Sequence, residues 1–334
     1  VPQPPATLAV LGAGSWGTAL AVLLSRNGYA VRLWGHDPGN VATLQRDRRN
    51  QAYLPDTRFP ELVQPLADLA DAVRGAEALI LVVPSHAFTE VVRGLAPLLS
   101  PSLGLTRATK GFEPGGARLL HEVAREILGN RDLAVVSGPS FAAEVARGLP
   151  TAVTVASPAP EYARRIASYL HSERFRAYTS DDIIGVQVGG AAKNVLAIAT
   201  GIADGLGFGA NTRAALITRG LAELIRLGAA LGGRAETFMG LAGLGDLVLT
   251  CTDDQSRNRR LGLALARGLS VAQAKAQIGQ EVEGVHTARE VFHIARRLGI
   301  EMPISEQVYG VLYGGVTPQQ ATHALLVRSS KAEF

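Results

Sequence analysis

The stretch Val10-Leu11-Gly12-Ala13-Gly14-Ser15-Trp16-Gly17-Thr18-Ala19-Leu20 decides the fold of this chain. An apolar run begins at Leu8 and leads directly into the three glycines, and the apolar residues after them recur at helical spacing. A strand, a glycine-rich turn and a helix in this order are typical of the first unit of a dinucleotide-binding fold. The alternative is a strand-to-helix turn that binds no ligand.

Each glycine of this motif has its own expected role. Gly12 permits the tight turn, Gly14 lets the backbone approach a pyrophosphate without an intervening Cβ, and Gly17 lets the helix pack closely on the strand. The first N–H groups of the helix lie at the positive end of its dipole, which favours an anion there. We therefore expect this turn to hold the phosphates of a dinucleotide.

Composition indicates a globular protein of about two domains. The chain has 334 residues, of which 47% are hydrophobic and 19% charged, and this length and composition allow a sizeable core. The net charge of +4 is small, the arginines are scattered and aromatic residues make up only 5%. A nucleic-acid-binding protein usually shows a concentrated basic surface. We therefore expect no nucleic-acid partner, and the mild basicity is compatible with a small anionic ligand.

Cysteine content and hydropathy predict the compartment. Cys251 is the only cysteine, so no disulfide can form within the chain and a reducing compartment is expected. No apolar run approaches the roughly 18 residues of a membrane span. Residues 1–5 are proline-rich and do not resemble a signal peptide. These features predict a soluble cytoplasmic protein without membrane insertion.

Short apolar strands alternate with helical segments through the first half of the chain. This alternation predicts a Rossmann-type α/β domain with a doubly wound, mostly parallel sheet. Strands are predicted at residues 8–11, 30–34, 78–83, 103–108, 133–136, 151–155 and 175–178. Residues 50–65 carry three prolines and few periodic apolar residues, and are predicted to be an irregular connection.

Strand patterns stop near Asp181 and Asp182, and apolar residues follow helical spacing from there onward. We therefore predict a dinucleotide-binding domain over residues 1–181 and an all-α domain over residues 182–334.

Polar clusters follow three predicted strands, at Pro84-Ser85, Thr109-Lys110-Gly111 and Gly138-Pro139-Ser140. In open α/β sheets the ligand crevice lies at the carboxyl ends of the strands. Lys110 directly ends a buried strand, which is unfavourable for a charge unless the lysine meets an anion or reaches solvent. We expect these clusters to line a ligand site.

His36 and Asp37 follow the second predicted strand, where a Rossmann unit contacts the adenosine ribose. An acid there favours the free 2′-hydroxyl of NAD, whereas a cationic or neutral donor tolerates the 2′-phosphate of NADP. Because the histidine comes first and the aspartate follows, these residues leave both cofactors open. A loop histidine without a ligand is the alternative.

The helical domain opens with a segment of small residues, Gly189-Gly190-Ala191-Ala192, which suggests close packing of this helix against the first domain. Lys193 and Asn194 follow as polar residues in an otherwise apolar helix. A lysine near a cleft can have its pKa lowered to about 7–8 and can then exchange a proton with an alcohol. A second cation nearby, such as Lys110, would lower that pKa further. The alternative is a lysine whose ammonium reaches solvent.

A third cluster, residues 243–252, precedes Ser256-Arg257-Asn258-Arg259-Arg260. The guanidinium of Arg257 suits a phosphate, and the N–H groups of the helix that follows could join it. The alternative is a basic surface loop that caps a helix. Cys251 is expected to be a buried small residue. We find no metal-ligand spacing and no serine or cysteine nucleophile signature in the sequence.

Together these motifs resemble the bacterial NAD(P)-dependent sn-glycerol-3-phosphate dehydrogenase family. The resemblance covers essentially the whole chain, through residues 12–19, 108–111, 137–140, 189–194, 207–220, 243–246 and 256–258. It implies an oxidoreductase that interconverts dihydroxyacetone phosphate and sn-glycerol 3-phosphate, a small phosphorylated three-carbon substrate, and that supplies phospholipid synthesis. It also implies NADPH or NADH as cofactor, with NADPH favoured by His36.

The resemblance implies a role for each residue of the site. Lys193 would be the proton donor and acceptor, aided in catalysis by Lys110 and Asp246. Cofactor contacts are implied for Gly12, Gly14, Ser15, Trp16, Gly17, His36, Lys110, Ala142, Arg257, Glu281 and Glu283. Substrate contacts are implied for Lys110, Gly138, Ser140, Lys193, Asn194, Asp246, Ser256, Arg257 and Asn258.

Three further expectations stay open in the sequence. Relatives more often carry an aliphatic residue at position 281, so a backbone contact is expected from Glu281. The small-residue helices are compatible with a homodimer. The rival functions are a β-hydroxyacid or ketopantoate-type dehydrogenase, which would act on a carboxylate, and a dinucleotide sensor without catalysis.

Overall fold

The computed structural model describes residues 5–329, so most of the proline-rich start and residues 330–334 lie outside the described part. The chain divides into two compact units. The first extends to Glu113 and resumes over Arg118–Gln187, and the second comprises Pro114–Ala117 and the chain from Val188 onward. The predicted domain limits, residues 1–181 and 182–334, stay a prediction.

An eight-stranded sheet forms the centre of the first unit. The strands of this unit, including a separate two-stranded pair, are β1 Thr7–Leu11, β2 Ala30–Trp34, β3 Arg49–Asn50, β4 Leu54–Arg58, β5 Val63–Leu66, β6 Ala78–Leu81, β7 Leu105–Arg107, β8 Leu133–Ser137, β9 Thr151–Ala156 and β10 Phe175–Ser180. The order in the large sheet is β10-β9-β8-β7-β6-β1-β2-β5. Its neighbouring strands are parallel except β8 and β9, which are antiparallel.

Helices follow most of these strands. They are α1 Ser15–Arg26, α2 Pro38–Asp47, α3 Leu69–Val73, α4 Ser85–Leu95, α5 Leu120–Leu128, α6 Ala142–Arg147 and α7 Pro160–Leu170. The last four residues of β1 are fully buried, so both faces of this central strand are covered. The predicted Rossmann-type architecture with a mostly parallel sheet is confirmed.

Residues 50–65 are more regular than the sequence predicted. β3 and β4 pair as an antiparallel hairpin, and β5 pairs with β2 at the edge of the large sheet. Pro55 lies in β4 and Pro65 in β5, and each strand pairs along one side only. Proline is tolerated in such strands because no ladder hydrogen bond is needed on the free side. The prediction of an irregular connection was wrong for this reason.

The turn between β1 and α1 leaves no room for a side chain at two of its glycines. Gly12 has φ +129°, and a Cβ there would lie 2.7 Å from the Val82 carbonyl oxygen. A Cβ on Gly17 would collide with the Gly12 carbonyl oxygen. A Cβ on Gly14 would have no neighbouring atom within 4 Å. Packing therefore requires the first and third glycines, whereas the second faces open space.

The secondary structure of the second unit in its described part consists of helices, as predicted. Its helices are α8 Ile183–Gly205, α9 Ala210–Ala230, α10 Ala235–Phe238, α11 Asp246–Thr252, α12 Arg257–Ala266, α13 Val271–Ile278, α14 Glu283–Leu298, α15 Pro303–Tyr313 and α16 Pro318–Leu326, and a π-helical turn spans Leu241–Gly245. The first residues of α8 belong to the first unit and the rest to the second.

Helix α8 is the core of this unit. The expectation that no apolar run approaches the length of a membrane span was wrong here, because within residues 5–329 this helix alone is long and apolar enough to cross a membrane. However, 94% of its most apolar window is buried inside the protein, as in the core helix of a globular protein. A Cβ on Gly201 would collide with the Arg259 carbonyl, and one on Gly262 with the Ile198 carbonyl. Helices α8 and α12 therefore pack backbone against backbone.

The small residues at the start of α8 were predicted to pack against the first domain. That contact stays a prediction. Within the second unit, a Cβ on Gly189 would lie 2.5 Å from the Ala242 carbonyl oxygen. The missing side chain lets the π-helical turn approach α8, and α11 begins where that turn ends.

Replacing Gly17 by alanine is expected to destabilise the protein by about 3 kcal/mol, because the new methyl group would collide with backbone at Gly12. The matched change Gly14→Ala meets open space, and is expected to cost about 1 kcal/mol or less. Urea unfolding measures both values. Equal losses of stability in the two variants would contradict this account of the turn.

Candidate active site

The carboxyl ends of five neighbouring parallel strands, β8, β7, β6, β1 and β2, lie along one edge of the sheet. The glycine turn follows β1, and polar clusters follow the others. The chain leaves β1 for β2 on one side, and later returns to pair β6 with β1 on the other. Such a reversal of strand order is the place where open α/β sheets bind their ligands.

The N-terminus of α1 is suited to an anion. Its N-cap is Gly14, which has no side chain to accept hydrogen bonds from the first-turn N–H groups. Ser15 and Trp16 begin the helix and are half-buried. Ser15 Oγ donates to the Tyr53 carbonyl oxygen at 3.2 Å. The Trp16 indole Nε1 is buried and has no hydrogen-bond partner among the described residues.

Asp37 caps helix α2. Its Oδ1 accepts hydrogen bonds from the N–H groups of Gly39, at 2.8 Å, and Asn40, at 3.2 Å. The helix therefore begins at Pro38, directly after its cap. His36, at the end of β2, is exposed. One carboxylate oxygen of Asp37 is thus directed to its own helix, and both Asp37 and His36 are exposed.

Lys110, Gly138 and Ser140 are brought together by the adjacent ends of β7 and β8. Lys110 Nζ donates to the Gly138 carbonyl oxygen at 3.3 Å, and Ser140 Oγ donates to the same oxygen at 2.9 Å. Thr109 Oγ1 donates to the Val83 carbonyl oxygen at 2.8 Å and so ties this loop to the end of β6. Ala142 begins α6 just beyond the cluster.

The second unit holds a buried ion pair. Lys193, on α8, is 5% exposed, and its ammonium pairs with the carboxylate of Asp246, which is 1% exposed. Lys193 Nζ also donates to Thr250 Oγ1 at 2.8 Å, and that hydroxyl donates to the Asp246 carbonyl oxygen at 2.6 Å. The alternative of a lysine that reaches solvent is therefore excluded. A buried, hydrogen-bonded ammonium of this kind can stabilise and protonate an oxygen anion.

Sequence reasoning missed Thr250. The signal was present, because Asp246 and Thr250 are four residues apart and therefore share one face of α11. Cys251 follows on the same helix and is fully buried, as predicted, and burial raises the pKa of its thiol to about 12.

Two buried asparagines join three helices of this unit. Asn258 Nδ2, on α12, donates to Asn194 Oδ1, on α8, at 2.9 Å. The Gly284 N–H, in the first turn of α14, donates to Asn258 Oδ1 at 2.9 Å. Glu283 begins α14, and Glu281 Oε1 lies 3.5 Å from His286 Nε2. The chain of amides therefore brings the starts of α12 and α14 to the middle of α8.

The residues of the basic cluster after residue 255 have different roles. Ser256 is the N-cap of α12, and its Oγ accepts from the Arg259 N–H at 3.2 Å. Arg257 is half-buried at the first position of this helix, and Arg260 is exposed. The guanidinium of Arg259 is buried and pairs with Asp204 and Asp254. Arg259 is therefore a structural residue, and Arg257 is the cation at the helix N-terminus.

Comparison with known families agrees with these features. The model of the NAD-dependent glycerol-3-phosphate dehydrogenase N-terminus matches residues 7–163, and that of the C-terminus matches residues 182–323. The chain belongs to the NAD-dependent glycerol-3-phosphate dehydrogenase family. It is 59% identical over 333 residues to a glycerol-3-phosphate dehydrogenase [NAD(P)+] of Thioalkalivibrio sulfidiphilus, covering 99% of each chain. It is 57% identical to one of Stenotrophomonas maltophilia, covering 98% of this chain and 96% of the relative.

Solved structures give the same assignment. The crystal structure of glycerol-3-phosphate dehydrogenase from Coxiella burnetii is 49% identical with a TM-score of 0.95, covering 97% of this chain and 99% of that one. A ketopantoate reductase from Ralstonia eutropha is 18% identical with a TM-score of 0.60, covering 95% of this chain and all of that one. This second likeness concerns the fold alone. The family assignment therefore supports the glycerol-3-phosphate dehydrogenase interpretation and not its rivals.

Replacing Asp246 by leucine is expected to destabilise the protein by about 3–5 kcal/mol, because Lys193 would stay buried without a counter-charge. The double change Lys193→Met/Asp246→Leu is expected to recover most of that loss. Thr250 still donates to the backbone carbonyl of residue 246 in the double variant. Urea unfolding measures both, and a double variant no more stable than the single one would contradict the prediction.

Proposed function

We propose that this chain reduces dihydroxyacetone phosphate to sn-glycerol 3-phosphate, and catalyses the reverse reaction, with Lys193 as the proton donor and acceptor. Membership of the family gives the reaction class. The observation that carries the proposal is the ammonium of Lys193, buried between the Asp246 carboxylate and the Thr250 hydroxyl. The product would supply glycerophospholipid synthesis in the cytoplasm.

The residues of the first unit suit a dinucleotide, which supplies hydride when bound. Gly14 faces open space, and the α1 N-terminus has no side-chain acceptor at its N-cap. A pyrophosphate there would accept hydrogen bonds from the backbone N–H groups. Further contacts to the dinucleotide are proposed for Ser15, Trp16, His36, Lys110, Ala142, Arg257, Glu281 and Glu283.

Proton transfer falls to Lys193. As negative charge develops on the carbonyl oxygen of the substrate, the ammonium stabilises it and then donates a proton. In the reverse direction the neutral amine takes the proton of the hydroxyl. Asp246 and Thr250 hold the lysine Nζ in one orientation, so that little reorganisation is needed at the moment of reaction.

The phosphate of the substrate would bind at the N-terminus of α12. Arg257 offers a fork of N–H donors, and the Ser256 and Asn258 side chains lie at the start of the same helix. Asn194 is hydrogen-bonded to Asn258 and is proposed to contact the substrate beside Lys193. Lys110, Gly138 and Ser140 are proposed to complete the substrate contacts.

We expect NADPH to be the preferred cofactor. An acidic residue after β2 favours NADH when its carboxylate accepts the ribose hydroxyls. Here the carboxylate of Asp37 already accepts two backbone N–H groups of α2, and His36 is exposed beside it. A homodimer stays a prediction from the small-residue helices.

The direct test is an assay of the purified protein with dihydroxyacetone phosphate and either NADPH or NADH, following the loss of reduced-nicotinamide absorbance. Oxidation that depends on this substrate supports the proposal, and the ratio of the two rates gives the cofactor preference. Binding of both cofactors without any oxidation would overturn the substrate assignment, and a set of keto acids would then be assayed.

Replacing Lys193 by alanine is expected to lower kcat by about 10²- to 10⁴-fold, because the proton donor is lost, while dinucleotide binding changes little. The matched control is Lys275→Ala, on α13, which is expected to keep normal turnover. Steady-state kinetics and a fluorescence titration with NADPH measure the two effects. Near-normal turnover in Lys193→Ala would remove this residue from the mechanism.

Replacing Arg257 by alanine is expected to raise KM for dihydroxyacetone phosphate by about 10- to 100-fold, since hydrogen bonds to a charged group are lost. KM for the dinucleotide is expected to change far less. Arg260→Ala, on the exposed face of the same helix, is the control. An unchanged KM for the phosphorylated substrate would count against the phosphate site.

A further inference from the structure

Asn50 lies outside every set of residues assigned above, yet its side chain contacts the glycine turn. It is fully buried on β3. Its Nδ2 donates to the Ala13 carbonyl oxygen at 2.9 Å and to Thr18 Oγ1 at 2.8 Å. Ala13 lies within the turn and Thr18 in the first turns of α1. One side-chain amide therefore bridges the turn and the helix that follows it.

The contact from Asn50 fixes the orientation of the peptide bond between Ala13 and Gly14. In a trans peptide the carbonyl and the following N–H point to opposite sides of the bond, and the described part of the chain has no cis peptide. When Asn50 binds the Ala13 carbonyl, the N–H of Gly14 must therefore point away from the hairpin. Gly14 is the N-cap of α1, so this N–H lies at the positive end of the helix dipole. A Cβ on Gly14 would meet no atom within 4 Å, so a ligand can approach the backbone of the turn on that side.

Burying the Asn50 amide lowers the stability of the folded state, which suggests that its hydrogen bonds to the turn have another role. Its Oδ1 is buried and has no hydrogen-bond partner among the described residues. A buried acceptor without a partner lowers the stability of the folded state. Stability alone therefore does not explain an amide at this position, whereas control of the turn does.

The hairpin that carries Asn50 has its own anchors. Leu54 and Phe59 are buried in the core of the first unit. Arg48 Nη1 donates to the Val63 carbonyl oxygen at 2.7 Å, and its Nη2 donates to that of Pro60 at 2.6 Å. We therefore expect the hairpin to keep its position when the side chain of residue 50 is changed, so that such a change affects mainly the glycine turn.

We propose that Asn50 is a positioning residue, which orients the Gly14 N–H of the turn toward the pyrophosphate of the bound dinucleotide. This inference rests on the proposed function, because it assumes that the turn binds a dinucleotide. The hairpin β3–β4 acts as the support of that turn, and Ser15, whose Oγ donates to the Tyr53 carbonyl oxygen, adds a second contact to it.

The test compares Asn50→Ala and Asn50→Asp with the unaltered chain. The aspartate has nearly the same shape, and in its ionised form it cannot donate to Ala13 or Thr18. Fluorescence titration with NADPH, and with NADH as a second probe, gives the dissociation constant. We expect a rise of about tenfold in both variants, with kcat and KM for dihydroxyacetone phosphate within about twofold of normal at saturating dinucleotide.

The control is Asp56→Ala, an exposed position on β4 of the same hairpin, which is expected to leave the dissociation constant unchanged. Should the Asn50 variants fail to fold, Thr18→Val removes one of the two contacts that orient the amide, and a rise of about threefold is expected. An unchanged dissociation constant in the folded variants overturns the inference. An equal loss in kcat and in dinucleotide affinity also overturns the inference, because a general destabilisation of the fold would lower both.

Failure of the inference and failure of the proposed function give different results. If the unaltered chain binds NADPH or NADH and the variants bind it equally well, only the role of Asn50 is lost. If the unaltered chain binds neither, both are overturned.

Discussion

The close contact of backbone with backbone at the β1–α1 turn is the constraint on which the first unit depends. Gly17 touches the Gly12 carbonyl, and Gly12 touches the end of β6, so helix, turn and two strands meet without intervening side chains. β1 lies inside the sheet, with β2 paired on one side and β6 on the other. The polar clusters after the neighbouring strands fall on the same edge because those strands are parallel. A shift of this one turn would displace all of them relative to the helix N-terminus.

In the second unit, polar contacts within an apolar helix bundle fix the positions of the functional side chains. A charge removed from water is costly unless a counter-charge and hydrogen bonds accompany it. Lys193 has both, from Asp246 and Thr250. The glycine contacts between α8 and α12 bring Asn258 within hydrogen-bond distance of Asn194. The rigid, close-packed helices thus fix the positions of groups that are individually expensive to bury.

The sequence predicted the structure correctly where a local pattern is compatible with only one local structure. The glycine motif, the alternation of strands and helices, and the polar Lys193 within an apolar helix all belong to this class. It failed where the partner is distant in sequence. Asn50 lies 32 residues from Thr18, and only the folded hairpin brings the two together. Pro65 led to the wrong prediction of an irregular segment. Proline is compatible with a strand that is unpaired on one side, and the sequence does not show that β5 is such an edge strand. Small residues such as Gly189 predict that a backbone approaches closely, but they do not identify the neighbour, which here includes the carbonyl of Ala242.

The single thiol of this sequence has a consequence for how the enzyme responds to oxidants. Peroxides and disulfides react with the thiolate, which is scarce when the thiol pKa is high and the sulfur is shielded from solvent. Cys251 sits one residue after Thr250, close to the groups proposed to perform the chemistry, yet it is fully buried and its pKa is raised to about 12. Its sulfur is therefore a poor target for glutathionylation or sulfenic acid formation. Turnover is therefore expected to be insensitive to thiol-specific oxidants.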